Sequence, residues 1–266
     1  MAKYNKLVGK HVLVLGGTRG IGRGVIEASI ESNARVTLVG SSQKTADAAV
    51  SAIRTEYPNA SVVGLGCDLS QPTVEEDLDA LFTRAAQISG ELDHIVLTAT
   101  EKLPMLKLED IKHDDILNVA KLKLFVPIIL GKVAKKHLAG ATNGIPGIGK
   151  NKSLIMTTGT LSTKPFPNAS LVSFFAAGIP GLVRSLVLDM APIRVNAVEP
   201  GAVNTMLWDK MVGPENREAA LEAMCGRLPT GKAGEAEEVA EAYMYLMRDS
   251  NATGEIVRSS GGLFLV

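Results

Sequence analysis

The chain of 266 residues has little cysteine, few aromatic residues and no net charge. Its two cysteines, Cys67 and Cys225, stand far apart. That excludes a disulfide framework and the spacing of a cysteine metal site, and it reads as a protein of a reducing, cytoplasmic compartment. Lys plus Arg number 28, and so do Asp plus Glu. Without a surplus of positive charge there is no field to hold a nucleic acid or an acidic membrane surface. The first ten residues contain no apolar run followed by a cleavage-like site, so no signal peptide is expected. No charge occurs between Lys164 and Arg184, a stretch almost long enough to span a bilayer. Pro165, Pro167 and Pro180, with Asn168, Ser170 and Ser173, make a buried loop followed by a buried helix the expected reading instead.

What the chain has is alternation. Short β-branched runs fall at residues 11–15, 35–39, 61–65, 94–98, 153–157 and 194–198, with helix-like segments of crossover length between them. Helices are expected over 22–32 and 73–89. In the second, Leu78, Leu81, Phe82 and Ala85 share one face, and Glu75, Glu76, Asp77 and Asp79 lie on other faces or in the first turn, where acids complement the helix dipole. Repeated βαβ units of this kind give an α/β fold with a doubly wound parallel sheet. Residues 139–152, with four glycines and Pro146, read as a long flexible loop. Nothing else marks a linker, so residues 1–266 form one domain.

The first run leads into Gly16-Gly17-Thr18-Arg19-Gly20-Ile21-Gly22, which opens a helix. Glycines permit a tight turn and close approach of a pyrophosphate, and the helix N-terminus offers N–H donors and partial positive charge. The position after a strand and before a helix is the context this turn needs to bind a dinucleotide. An enzyme that selects NAD carries an acid at the end of the second strand to hold the ribose 2′-hydroxyl. Here the chain reads Val39-Gly40-Ser41-Ser42-Gln43-Lys44. Ser41, Ser42, Lys44 and Arg19 suit a 2′-phosphate, so NADP(H) is the expected cofactor, although the serines also suit a helix N-cap.

With these motifs the chain resembles the short-chain dehydrogenases/reductases over nearly its whole length. Cys67-Asp68-Leu69 matches the family's adenine-contacting Asp, and Thr98-Ala99-Thr100 stands where the family has Asn-Ala-Gly. The run from Arg194 through Asn196, Pro200, Gly201 and Val203 to Thr205 matches the segment that lines the nicotinamide. The stretch from Gly254 to Gly262 resembles the last strand and terminal turn. The resemblance implies a Rossmann-type fold, NADP(H) held also by Asp68, Leu69, Ala99, Pro200, Gly201, Val203 and Thr205, and a homodimer or homotetramer paired through helices near 105–138 and 170–190. The family's Ser and Tyr-x-x-x-Lys set is missing: the Tyr position falls on Val172, the Lys position on Ala176 and the Ser position at or next to Gly159. The four tyrosines, Tyr4, Tyr57, Tyr243 and Tyr245, lie elsewhere.

This combination resembles a narrower group, the atypical fungal enzymes of secondary-metabolite clusters, which include NADPH-dependent reductases and Diels–Alderases of indole-alkaloid pathways. The shared features are Gly40-Ser41-Ser42, the run His94 to Ala99, Leu171-Val172, Gly254 and Gly261-Gly262-Leu263. The alkaloid enzymes carry an Asp where this chain has Phe166 and an Arg where it has Lys123, and the missing Asp counts against cycloaddition here. Without the proton relay, three chemistries stay open: hydride transfer to an already cationic C=N, hydride transfer to or from a C=O or activated C=C held by other donors, or a redox-neutral cyclisation or isomerisation with NADP as scaffold. A non-catalytic binding protein is the blander alternative. The candidate catalytic groups are Thr158, Thr160, Lys123 and Asn118, weighed against solvated lysines on an amphipathic helix and threonines closing a strand; His94 and His113 are given the same solvated reading. The candidate substrate pocket is Phe166, Val172, Phe175, Met206 and Trp208, under an apolar lid at about 205–234 that also holds Leu207, Met211, Met224 and Leu228. The expected substrate is a bulky apolar small molecule, with no metal, nucleic acid or membrane span.

Overall fold

The computed structural model describes residues 3–101, 103–139 and 149–266. Seven parallel strands make one sheet in the order β3-β2-β1-β4-β5-β6-β7. β1 is His11–Leu15, β2 Arg35–Gly40, β3 Val62–Gly66, β4 His94–Leu97, β5 Ser153–Thr157, β6 Arg194–Pro200 and β7 Ile256–Ser259. The helices are α1 Gly20–Glu31, α2 Gln43–Glu56, α3 Val74–Ser89, α4 His113–Ala120, α5 Val126–Ala139, α6 Ser170–Met190, α7 Leu207–Val212, α8 Arg217–Cys225 and α9 Ala236–Arg248. All six strands expected from the β-branched runs are present within one or two residues at their ends. The central strands are apolar on both faces, as a sheet covered on both sides requires.

Side chains alternate across the sheet. Val12 and Val14 join the core under α1, α2 and α9, where Ile26, Ile53, Tyr243 and Met244 are buried. Leu13 and Leu15 join the core under α3, α5 and α6 with Phe82, Leu130 and Val183. The predicted face of α3 is buried as expected. His94 is not solvated: it is 2% exposed, and its Nδ1 pairs with Ser153 Oγ at 2.9 Å. Burial holds this imidazole neutral, with its pKa lowered to about 3. Of the expected loop at 139–152, residues 140–148 lie outside the described part, and Gly149–Asn151 form a short 3-10 turn before β5.

Two prolines reshape helices next to the sheet's C-terminal edge. Pro127 has no N–H for the carbonyl of Lys123 four residues back. The chain answers with a π-helical turn, Lys121–Phe125, in which Val126 N–H bonds Lys121 O. Pro180 sits inside α6 and in the same way leaves Ala176 O without a helical donor. Thr158 Oγ1 supplies one, donating to Ala176 O at 2.8 Å. The charge-free stretch therefore departs from expectation in its first part. The residues at 165–168 are exposed, whereas α6 buries Leu171, Val172, Phe175, Ile179, Val183 and Met190 and leaves Phe174 and Leu188 outside. It is the one described helix long and apolar enough to cross a membrane, and its buried face packs on the sheet as a core helix does.

Candidate active site

The strand order reverses between β1 and β4, and the crevice beyond the strand ends at such a point is where open α/β sheets bind ligands. Two adjoining cavities of about 300 and 310 Å³ open there and share Ile21, Thr98, Ala99, Thr100, Thr205 and Leu207.

The first cavity lies over the glycine turn. Gly16, Thr18, Arg19, Gly20, Ile21 and Gly22 all line it. The turn is closed so tightly that a Cβ at Gly22 would stand 2.3 Å from Gly16 O and 2.5 Å from Thr98 Oγ1. Gly16, at φ 87°, is a position that only glycine adopts without strain, and a Cβ there would meet Ala99 N at 2.5 Å. The N-terminus of α1 has no side-chain cap and no acid in its first turn. α2 is closed in the opposite way: Ser42 accepts from Thr45 N–H in a capping box. An anion is the partner α1 lacks. At the end of β2 the cavity wall is Val39, Gly40 and Ser41, without a carboxylate. Asp68 and Leu69 line the far side. Gln71 Nε2, Ser70 N–H and Ser70 Oγ all donate to Asp68, and together they hold its carboxyl below the usual range. Residues of this cavity thus fit a phosphorylated dinucleotide. Of the residues expected around it, Ser42 is engaged as the cap of α2, and neither Ser42 nor Lys44 reaches the wall.

The second cavity is apolar. Val172, Ala176 and Ile179 of α6 line it, with Phe166, Trp208, Met211 and Met224. Pro200, Gly201 and Val203, expected at the nicotinamide, line this cavity, where it adjoins the first. Trp208 N–H donates to Val203 O at 3.0 Å and so ties the lid to the end of β6. Two pocket expectations change. Phe175 packs with Ala120 and Leu171 in a small core, away from the cavity, and Met206 lines the first cavity and is half-exposed. Asn118 is exposed on α4 and lines neither cavity.

The polar groups of the apolar cavity differ in what they have to give. Thr157 Oγ1 donates to Leu97 O at 2.6 Å and accepts from Tyr243 O–H at 2.7 Å. Thr158 spends its proton on Ala176 O, which corrects its candidacy as a donor to substrate. Lys164 Nζ donates to Leu263 O at 2.7 Å and to Val266 O. Three donors are left: Lys123, and Thr160 and Thr205, whose hydroxyls have no partner among the described residues; Thr205 stands where the two cavities meet. Lys123 Nζ donates to Thr100 Oγ1 at 2.9 Å. Burial pulls its ammonium down to about 8, against the opposing pull of Glu101. Its neighbour Lys121 is exposed, as solvated lysines are, so the two part company at the π turn. Sequence reasoning missed that turn; Pro127 is the signal that would have found it. No tyrosine lines either cavity. Tyr243 is wholly buried, its phenol pushed up by burial, and Tyr57 bonds Glu31 on the surface.

The SDR-like Rossmann domain family matches residues 3–266. The chain belongs to the short-chain dehydrogenase/reductase family. It is 34% identical over 270 residues to the short-chain dehydrogenase/reductase fsr5 of Gibberella fujikuroi, covering 100% of this chain and 98% of that one. It is 35% identical to malC of Malbranchea aurantiaca, covering 97% and 96% of the two chains. Among solved structures it is similar to the MalC reductase/Diels–Alderase from the same fungus, with a TM-score of 0.88 at 34% identity over 99% of each chain. A small-chain dehydrogenase in complex with NADPH superposes with a TM-score of 0.76 at 25% identity, covering 97% of this chain and 100% of that one. The chain is thus an enzyme of the dehydrogenase/reductase kind, with relatives of that name in Gibberella fujikuroi and Malbranchea aurantiaca.

Proposed function

We propose that the protein is an NADP(H)-dependent oxidoreductase that transfers hydride to or from a C=N, C=O or activated C=C of a bulky apolar intermediate, without a tyrosine relay. The observation that carries this reading is the pairing of the two cavities: a bare, anion-seeking glycine turn with no acid at the end of β2, opening onto an apolar chamber lined by Val172 and Ala176 and by no tyrosine. The turn and the N-terminus of α1 hold the pyrophosphate, Arg19 and Ser41 the 2′-phosphate, and Asp68 and Leu69 the adenine end. Ala99, Pro200, Gly201, Val203 and Thr205 face the nicotinamide end. NADPH, when bound, supplies the hydride. Lys123 holds the proton for the substrate, Thr160 adds a second donor, and the apolar wall excludes water. A general acid of this kind contributes about 10²–10⁴ in rate. Calorimetric titration with NADPH and NADH tests the cofactor; tighter binding of NADH overturns it. Incubation of 4-deuterated NADPH with a panel of bulky apolar carbonyl compounds tests the reaction, with deuterium in the product as the expected result.

A second reading rests on the likeness to the MalC reductase/Diels–Alderase. It is a redox-neutral cyclisation in the same chamber with the dinucleotide as scaffold. Conversion without deuterium in product and without NADP⁺ formation would decide for it.

We also propose that two copies pair through α4, α5 and α6. Phe174 is 72% and Leu188 80% exposed, and Leu124, Phe125 and Ile128 lie open on the π turn and α5. Large apolar side chains clustered on one face of this kind mark an interaction surface. Light scattering at micromolar concentration should give at least a dimer, and a monomer there overturns the pairing.

A further inference from the structure

The apolar chamber carries an electrostatic selection that its hydrophobicity hides. Its described lining includes two ammonium groups, Lys123 and Lys164, and no carboxylate. The nearest acids are all committed or turned to another space. Glu199 is 1% exposed and is closed off by Ser162, Thr163 and Arg258. Asp209 of the lid faces Arg217 at 3.5 Å. Glu101 lines the cofactor cavity. With no acid in its lining the chamber is positive through Lys123, Glu101 offsetting part of that charge from the cofactor side, and a low-dielectric wall strengthens the field.

The two ammonium groups are not equally occupied. Lys164 is engaged by Leu263 O and by the terminal oxygen of Val266, so the open positive charge of the chamber is that of Lys123. Lys123 has three N–H donors and gives one to Thr100 Oγ1. The other two have no acceptor among the described residues. A half-buried ammonium in this state is short of hydrogen-bond acceptors, and burial, by stripping water from it, loosens its proton as well. Thr160 and Thr205 are in the same position, each with a hydroxyl and no partner among the described residues, and of the two only Thr160 belongs to the chamber alone, Thr205 also lining the cofactor cavity.

From these observations we infer that the chamber is built for a bulky apolar carbonyl compound, neutral or anionic, whose oxygen is taken by Lys123 and Thr160, and that it rejects a substrate bearing a cationic nitrogen. This deepens the reductase reading and rests on it for the reaction. Of the three kinds of bond open to hydride transfer, it selects C=O and sets aside a cationic C=N. Recognition itself is an equilibrium property and is measured without turnover.

Trp208 is the only tryptophan of the chain and lines this chamber, so its emission reports occupancy of this site. The experiment titrates the enzyme in its NADP⁺ complex with three probes of the same two-ring size that are nearly transparent at the excitation wavelength. They are 1-decalone, decalin-1-carboxylate and protonated decahydroquinoline. The ketone and the carboxylate should bind at least ~10-fold more tightly than the ammonium compound. Lys123→Met should bring the three within about twofold, and Lys123→Arg should keep the preference. Unchanged NADP⁺ affinity in both variants shows that they are folded. The inference is overturned if the ammonium compound binds as tightly as the ketone, if the ketone does not bind, or if Lys123→Met leaves the preference intact. NADPH oxidation with 1-decalone is followed in parallel. Selective binding without oxidation counts against hydride transfer and leaves the charge selection standing; oxidation with equal binding of all three does the reverse.

Discussion

The two cavities lie side by side on one sheet edge yet are built by opposite means. The cofactor cavity is made of backbone. Its shape comes from Gly16, Gly20 and Gly22, where side chains are absent, and from an uncapped helix end. The substrate chamber is made of side chains drawn from α6, the π turn, the strand ends and the lid. The backbone site tolerates almost no change, because an added Cβ collides with main chain at Gly16 and Gly22 and crowds Thr205 at Gly20. A side-chain site can be rewritten residue by residue without disturbing the fold. The dehydrogenase/reductase frame is kept, while the chamber at its mouth is lined by Val172 and Ala176 and by no tyrosine.

The sharpest way to test that contrast is to strike each cavity once. Gly22→Val puts carbon atoms where Gly16 O already stands 2.3 Å from a Cβ. Overpacking a closed turn costs about 1–3 kcal/mol or more, so NADPH affinity should fall ~100-fold by calorimetry, with loss of thermal stability. On the other side, Lys123→Met should lower kcat about 100-fold with NADPH affinity unchanged. The sign of its pH dependence follows from the lowered pKa. The ammonium is the proton-bearing form, so the wild-type rate is full below about 8 and falls as pH rises through about 8. The variant's profile should be flat across that range; a wild-type rate that rises there would remove Lys123 from the mechanism.

A milder change tests whether the end of β2 discriminates between cofactors. Ser41→Asp places a carboxylate where the cavity wall has none. NADPH binding should weaken about tenfold and NADH binding improve, through repulsion of the 2′-phosphate and acceptance from a 2′-hydroxyl. Equal losses for both cofactors would mean that Ser41 only shapes the wall. The smallest effect is expected at Tyr243→Phe. This phenol is wholly buried and lines neither cavity, and it donates to Thr157, so its loss should cost about 1 kcal/mol in urea unfolding and leave kcat within twofold. A large loss of kcat would give Tyr243 a role in proton transfer that its burial argues against.

Legibility in the sequence divided along the same line. The strands, the glycine turn, the missing acid after β2 and the buried face of α3 were all readable, because each depends on residues close together in the chain. The fate of the hydroxyls and lysines was not. Thr158 looked like a donor until Pro180, twenty-two residues on, left Ala176 O in want of its proton. Lys121 and Lys123 looked alike until the π turn forced by Pro127 set one in solvent and the other on the chamber wall. Ser42 and Lys44, next to Ser41 in sequence, were lost to the cavity once α2 began at Gln43.

By itself the sequence determined a doubly wound parallel sheet and a turn that takes a dinucleotide. Hydrophobic period and bare glycines are local properties, and they leave the chain few other ways to bury its strands. The tertiary structure alone decided which donors stay free to meet a substrate. A hydrogen bond is made by whichever partner the fold brings within reach, and the backbone oxygens that claim Thr157, Thr158 and Lys164 come from segments 18 to 102 residues away in the chain.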